Sequence, residues 1–284
     1  MELVELVELN EKDTRGLVDL SASVGWDYDE GEVGTLLSSS YKMFGHKNRD
    51  GKLVSSAAII PYDHKLAWIG MVIVHNNYRS LGLGKDVMKK CIECARDRSI
   101  LLIATAEGQP LYEKLGFTVV DSVHKYLCEK YVPPKLEIKS DISIEAFKEE
   151  QLVDVIELDG AAFGEKRSTF LQNRIQQSHQ CLVVKDENSR IIGFGLSVLG
   201  PVNLVLGPIV APNTRIAELI IDCLACDHKG KLRVDVPSGQ ENLMAFLEQR
   251  GFVKVNNPPV MAIHTREMPP RNQTLFTIAS QAYG

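Results

Sequence analysis

Trp68-Ile-Gly-Met-Val-Ile-Val-His-Asn-Asn-Tyr-Arg-Ser-Leu-Gly-Leu-Gly-Lys85 changes character twice along its length. The β-branched apolar run Ile69 to Val74 predicts a buried strand, and the polar corner His75 to Tyr78 breaks it. Arg79-Ser-Leu-Gly-Leu-Gly-Lys85 then opens a helix. Glycines at 82 and 84 let backbone N–H groups approach a bound group with no Cβ in the way, and the unpaired donors of a helix N-terminus favour an anion. Arg79 and Lys85 place positive charge on either side of that spot, and Arg79 can pair with phosphate oxygens. The expected ligand group is a pyrophosphate.

Spacing separates the phosphate-binding patterns. A nucleoside-triphosphate loop needs Ser or Thr after its Gly-Lys pair, but Asp86 follows Lys85. A dinucleotide fingerprint needs a third glycine where Val87 stands. What remains is Arg79-x-x-Gly82-x-Gly84 directly after a strand.

With 284 residues the chain is long enough for two ordinary domains, and 44% hydrophobic with 24% charged residues is the balance of a globular protein. A formal net charge of −5 argues against general affinity for nucleic acid or anionic lipid, and mildly favours a cationic substrate. The acidic N-terminus lacks a basic lead-in, and no apolar run approaches membrane-spanning length, so a cytoplasmic protein is expected. Cys91-x-x-Cys94 and Cys223-x-x-Cys226 sit in apolar helical stretches, where that spacing puts both sulfurs on one buried face. Core packing is expected of them, with no metal site.

Around the central strand the chain reads in order. A first strand lies between Glu2 and Asn10, a helix follows Asp13-Thr14, and a short helix covers Glu32 to Ser38. Tyr41–Lys47 and Leu53–Ile60 form a hairpin about Asn48-Arg-Asp-Gly51. A helix from Leu83 to Arg98 crosses to the apolar strand Ile100–Thr105, a connection that makes this strand a parallel neighbour of the central one. Pro110 starts and Gly116 ends a short helix in Gln109-Pro-Leu-Tyr-Glu-Lys-Leu-Gly-Phe117. Strands Thr118–Val120 and Val123–Glu129 are expected to close the domain.

Val132-Pro-Pro-Lys-Leu136 suits a linker, after which the order repeats. Ile142–Phe147 is a strand, and Leu152–Ala162 and Ser168–Gln177 are helices. Cys181–Lys185 and Ile191–Leu199 make a hairpin, Asn203–Val210 matches the central strand, and Arg215–Cys226 and Leu232–Val236 its crossover. Phe246-Leu-Glu-Gln-Arg-Gly-Phe252 echoes Leu111-Tyr-Glu-Lys-Leu-Gly-Phe117, so the chain is an internal duplication. In the second copy the loop is Ala211-Pro-Asn-Thr-Arg-Ile-Ala217, without the glycine pair, and Leu247 stands where Tyr112 does.

The first half resembles the GNAT N-acetyltransferase superfamily in element order and at two motifs, Val74-His-Asn-Asn-Tyr-Arg79-Ser-Leu-Gly82-Leu-Gly84 and Leu111-Tyr112-Glu-Lys-Leu-Gly-Phe117. Asn76 stands where the family often has proline. The resemblance implies an α/β fold of two tandem domains, each a mixed central sheet flanked by helices: residues 1–131 catalytic, 132–140 a linker, 141–284 a degenerate copy. It implies an acetyl-CoA-dependent acyltransferase with no metal. The acetyl group would pass to a primary amine by direct attack in a ternary complex. A non-catalytic acyl-CoA-binding sensor or interaction module is the alternative.

By the same resemblance, coenzyme A would lie on Val72, Ile73, Val74 and the loop Arg79, Ser80, Leu81, Gly82, Leu83, Gly84 and Lys85. The central strand and its parallel neighbour would splay to admit pantetheine, and backbone N–H near Val72 would face the thioester carbonyl. Tyr112 would protonate the departing thiolate. A lysine-like amine, with a pKa of about 10.4, needs a proton acceptor, for which His75 and Glu107 are the nearest candidates. Trp26, Asp27, Tyr28 and Glu30 form an acidic, aromatic loop suited to a cationic acceptor. The acceptor's identity and the oligomeric state are not written in the sequence.

Overall fold

The structure is a computed structural model that describes residues 4–133 and 142–284. The expected linker lies, apart from Val132 and Pro133, outside the described residues. The first half contains strands β1 (Val4–Glu8), β2 (Lys42–Asn48), β3 (Leu53–Tyr62), β4 (Leu66–Val74), β5 (Ser99–Ile103) and β6 (Thr118–Cys128). Its helices are α1 (Thr14–Ala22), α2 (Glu30–Ser39), α3 (Leu83–Cys94) and α4 (Gln109–Lys114). The second half has β7 (Ser143–Ala146), β8 (Gln180–Lys185), β9 (Ile191–Leu199), β10 (Asn203–Val210) and β11 (Lys231–Pro237). β12 (Val253–Asn256), β13 (Pro259–Ile263) and β14 (Leu275–Thr277) follow, with helices α5 (Leu152–Phe163), α6 (Ser168–Gln177), α7 (Thr214–Ala225) and α8 (Glu241–Gln249).

The duplication expected from the repeated order is present: β1–β5 and β7–β11 run through equivalent hairpins and one helical crossover each. The sheets are joined in a way the sequence reading did not foresee. Strand order is β1-β2-β3-β4-β5-β13-β6-β11-β10-β9-β8-β7. Thr118–Val120 and Val123–Glu129, expected as two strands, are one strand, β6. Its first part pairs with β13 (Met261 opposite Val119) and its second with β11 (Asp235 opposite Lys125). β13 of the second half therefore stands between β5 and β6 and covers the β5 edge from Ile100 to Ile103. Each half completes its sheet with a strand of the other, so neither leaves an unpaired edge there.

Apolar packing crosses the same boundary. Tyr62 and Trp68 of the first half share a cluster with Phe163, Phe170 and Tyr283 of the second, and Phe170 lies 4.7 Å from the Tyr283 ring. Arg167, fully buried, bonds both carboxylate oxygens of Asp159 at 2.7 and 3.0 Å and lies 3.9 Å from the Phe163 ring centre. α2 and α6 meet through Arg174 and Glu32 at 2.5 Å and Thr35 and Gln177 at 2.8 Å.

Two local features shape the centre. β4 and β5 pair in parallel only from Leu66–Ser99 to Trp68–Leu101 and then part. On the other side of β4, the register with β3 shifts between Ser56 and Ala58. That bulge puts Met71 in the left-handed region (φ 50°), its carbonyl accepting the buried Ser56 hydroxyl at 2.8 Å. The same parting recurs between β10 and β11 after Val205–Arg233, but there β14 pairs with Ile209 and Val210 and fills the gap.

Candidate active site

The polar corner after β4 is a single turn, Asn76–Tyr78, and the chain then takes two left-handed residues, Ser80 (φ 65°) and Gly82 (φ 86°), before α3 begins. No side chain caps α3. The first bond of its ladder is Asp86 N–H to Gly82 C=O, so the amides of Leu83, Gly84 and Lys85 have no partner within the helix. Arg79 and Lys85 are exposed beside them and take part in no ion pair among the described residues. The arrangement is an anion cradle.

Each glycine also meets a local need of the chain. Gly82 supplies the left-handed turn and has open space around it. Gly84 is buried, and a Cβ there would meet Leu111 at 3.2 Å and Val74 at 3.3 Å, so its role is close helix–strand packing. Leu81 is 46% exposed and lies outside the cleft lining. The other positions expected to hold the coenzyme, Val72, Ile73, Val74, Arg79, Ser80, Gly82, Leu83, Gly84 and Lys85, all line one cleft of ≈ 530 Å³. It enters between β4 and β5 where they part, a size ordinary for ligand sites.

A second cavity of ≈ 190 Å³ adjoins it. Trp26, Val72, Thr105 and Tyr112 line both, so the two spaces adjoin at the bulge in β4. Tyr112 is 5% exposed, and burial pushes its phenol well above the usual value, which keeps it protonated. Its ring lies against Gly108, where a Cβ would stand 2.9 Å from the ring edge and 3.0 Å from the hydroxyl oxygen.

Trp26, Asp27 and Tyr28 of the early loop line the second cavity, and the Trp26 and Tyr28 rings are 6.1 Å apart. Glu30 does not. As the first residue of α2, which Asp29 caps by accepting the Glu32 amide at 2.8 Å, it faces solvent, and Glu32 takes the inward position. Tyr28 has a phenol raised by burial and by the nearby Glu32 carboxylate.

Neither candidate base reaches the second cavity. His75 lines neither space; its Nδ1 accepts the Asn77 amide at 3.2 Å and its ring meets Tyr78 edge-on, so it caps the corner. Glu107 lines the first cleft only. The acids in the second cavity are Asp27, Asp29 and Glu32.

The second half contributes most of what sequence reasoning missed. Arg174, Asn203, Arg233 and Gln281 line the second cavity, together with Lys125 from β6. Arg233 donates from Nε and Nη2 to one Asp235 oxygen at 2.9 and 2.8 Å, and Gln281 donates to the other at 3.0 Å. The available signal was Leu232-Arg-Val-Asp-Val236: two charges two apart in an apolar strand share one face, and a buried face holds charge only with partners. In the second copy the equivalent coenzyme position is closed. β14 occupies the parting, Asn213 caps α7 by accepting the Ile216 amide at 3.1 Å, and Leu247 is core.

Residues 8–117 match the acetyltransferase (GNAT) family and residues 155–277 match an acetyltransferase (GNAT) domain. The chain is 38% identical over 282 residues to the uncharacterized N-acetyltransferase YitH of Bacillus subtilis, covering 99% of this chain and 98% of that protein. Its fold is similar to the crystal structure of a candidate acetyltransferase from Pyrococcus horikoshii, with a TM-score of 0.81 at 19% identity over 99% of this chain and 96% of that one. A tandem GNAT protein from the clavulanic acid biosynthesis pathway aligns with a TM-score of 0.70 at 14% identity over 92% of this chain and 98% of its own. With one family match in each half and a full-length relative, the chain belongs to the GNAT acetyltransferases and carries two GNAT domains in tandem.

Proposed function

We propose that the protein transfers an acetyl group from acetyl-CoA to a primary amine, by direct attack with both substrates bound. The observation that supports this most is that the two cavities adjoin at Val72 and Tyr112, which line both. One cavity is built for an anionic carrier and the other is lined by polar side chains. The residues fit the carrier: the uncapped α3 amides with Arg79 and Lys85 suit a diphosphate, and the parted edge of β4 from Ile69 offers backbone partners to pantetheine amides.

When bound, acetyl-CoA supplies an activated thioester. The bulge at Met71–Val72 lies at the junction, where its backbone donors would hold the carbonyl oxygen. Tyr112 holds a proton at its hydroxyl for the departing sulfur. The amine would arrive through the second cavity and must lose its own proton; Asp27, which is in no ion pair among the described residues, would take it through water. Half-buried Trp26, which borders both spaces, keeps bulk water from the junction.

The test is thiol release when the whole chain is mixed with acetyl-CoA and a panel of primary amines. At least one amine should give turnover, and Tyr112→Phe should lower kcat by roughly a hundredfold or more while coenzyme A still binds. Retained binding with no turnover on any amine would overturn the reading.

A further inference from the structure

We infer that the acceptor carries a carboxylate as well as its amine, and that Lys125 holds the carboxylate inside the second cavity. This deepens the proposed function and rests on it for the identity of the site.

The lining charges are the starting point. Lys125, Arg174 and Arg233 share the lining with Asp27, Asp29 and Glu32. Both signs of charge face the space, so a zwitterion is matched at both ends. The cations are not equally free. Arg233 is held by Asp235. Arg174 bonds Glu32 at 2.5 Å, Gln177 at 2.8 Å and the Ala279 carbonyl at 3.1 Å. Lys125 takes part in no ion pair or side-chain hydrogen bond among the described residues, although it is only half-exposed.

Position explains why. Lys125 on β6 stands opposite Asp235 on β11, on the face that carries Arg233. Both oxygens of Asp235 are already engaged, by Arg233 and by Gln281. The next acid, Asp27, is exposed and receives only the Asn203 amide at 3.4 Å. Burial and the neighbouring Arg233 push the Lys125 ammonium below its usual value, an imbalance that an incoming anion relieves. A second unmet donor belongs to a residue of the same lining: Nε of Arg174, whose side chain is 1% exposed, has no hydrogen-bond partner.

The geometry then orders the acceptor. Its amine must lie at the Val72–Tyr112 junction, where the two cavities meet, and its carboxylate points to the β6–β11 strand pair. A carboxylate suits the site better than a phosphate monoester, because the cavity is small (≈ 190 Å³) and offers a single cation, Lys125, that is in no ion pair among the described residues.

The experiment is calorimetry on the full chain saturated with coenzyme A, titrated with paired probes: histidine and histamine, tyrosine and tyramine, ornithine and putrescine. At least one carboxylate-bearing probe should bind ten or more times tighter than its decarboxylated partner. Lys125→Met should erase that difference and Lys125→Arg should restore part of it, with unchanged coenzyme affinity and Tm as folding controls. Equal or tighter binding of the decarboxylated partners, a preference that survives Lys125→Met, or failure of every carboxylate-bearing probe to bind overturns the inference. Thiol release is scored separately. Probes that bind as expected without releasing thiol would sink the transferase reading and leave the ligand class standing.

Discussion

Gly108 is the position at which a single methyl group should disable the chemistry and little else. Its backbone lies at φ −82°, ψ −32°, a conformation any residue adopts, so the reason for glycine is space. An added Cβ would stand 2.9 Å from Cε2, 3.0 Å from Oη and 3.1 Å from Cζ of Tyr112, where ordinary contact begins at 3.4 Å. The ring must therefore move by about 0.5 Å. A displacement of about 1 Å costs on the order of a hundredfold in rate, so Gly108→Ala should lower kcat about tenfold. Stability should hardly change: crowding is offset by a gain of roughly 0.4–1 kcal/mol from replacing a glycine whose φ and ψ suit any residue, here the one just before α4. Coenzyme affinity should fall far less than kcat, because the α3 amides are untouched and Gly108 meets the cleft only at its edge with Tyr112. The assay is steady-state kcat for the single variants and for Gly108→Ala combined with Tyr112→Phe. If Gly108 acts only by placing the hydroxyl, the double variant is no slower than Tyr112→Phe. A Gly108→Ala enzyme with wild-type kcat, or an additive double variant, refutes the reasoning.

The remaining predictions follow from the same geometry. Calorimetry should count one coenzyme A per chain, since β14 fills the equivalent opening in the second half; two equal sites would contradict that account. Arg79→Ala should weaken coenzyme binding by about 1 kcal/mol, roughly fivefold, and flatten its salt dependence, because Arg79 is exposed and screened; an unchanged Kd at low salt would remove it from the cradle. Asp159→Asn strands the buried Arg167, at a cost of roughly 3–5 kcal/mol and a fall in Tm on the order of 10 °C; calorimetric melting checks it, and a fall under about 2 °C would refute it. The raised Tyr112 phenol stays protonated in alkali, so kcat should show no falling limb from this group up to pH of about 10. A limb below that, abolished by Tyr112→Phe, would contradict the burial argument.

Elements set by local chemistry were legible in the sequence, and those set by partners were not. Ser168–Gln177 is helical over the expected range, and Gln109–Lys114 starts one residue before its proline, because periodicity and end signals are contained within the segment. α3 stops at Cys94, short of the expected Arg98, where Ala95 leaves the helical region and the turn runs into β5. The strands β12–β14 escaped notice. Pro259–Ile263 is short and its partners, β5 and β6, lie in the other half, so no local pattern announces it. The candidate site divides the same way. The α3 cradle and Tyr112 come from contiguous motifs. Lys125, Arg174 and Arg233 come from three separate elements and Gln281 from the segment after β14, and the pairing of β6 with β11 brings Lys125 to the other three.

The exchange of strands between the halves also gives the second copy a reason to persist. Both halves share a parting of two parallel strands, and in the first it opens the cleft. In the second, β14 enters the parting, and the chain beyond it runs back across the boundary. Ile278 N–H bonds the Asp235 carbonyl, the Tyr62 hydroxyl donates to the Tyr283 carbonyl at 2.6 Å, and Gly70 lies so close to the Ala282 carbonyl that a Cβ would stand 2.4 Å from it. Ser280, Gln281 and Ala282 thereby form one wall of the second cavity. A coenzyme in the second half would need the space of β14 and would draw this wall away. Loss of the second glycine loop and construction of the acceptor wall are therefore two sides of one change. A replacement of Gly70 by alanine, which leaves Arg79 to Lys85 untouched, should raise KM for the acceptor while sparing coenzyme affinity.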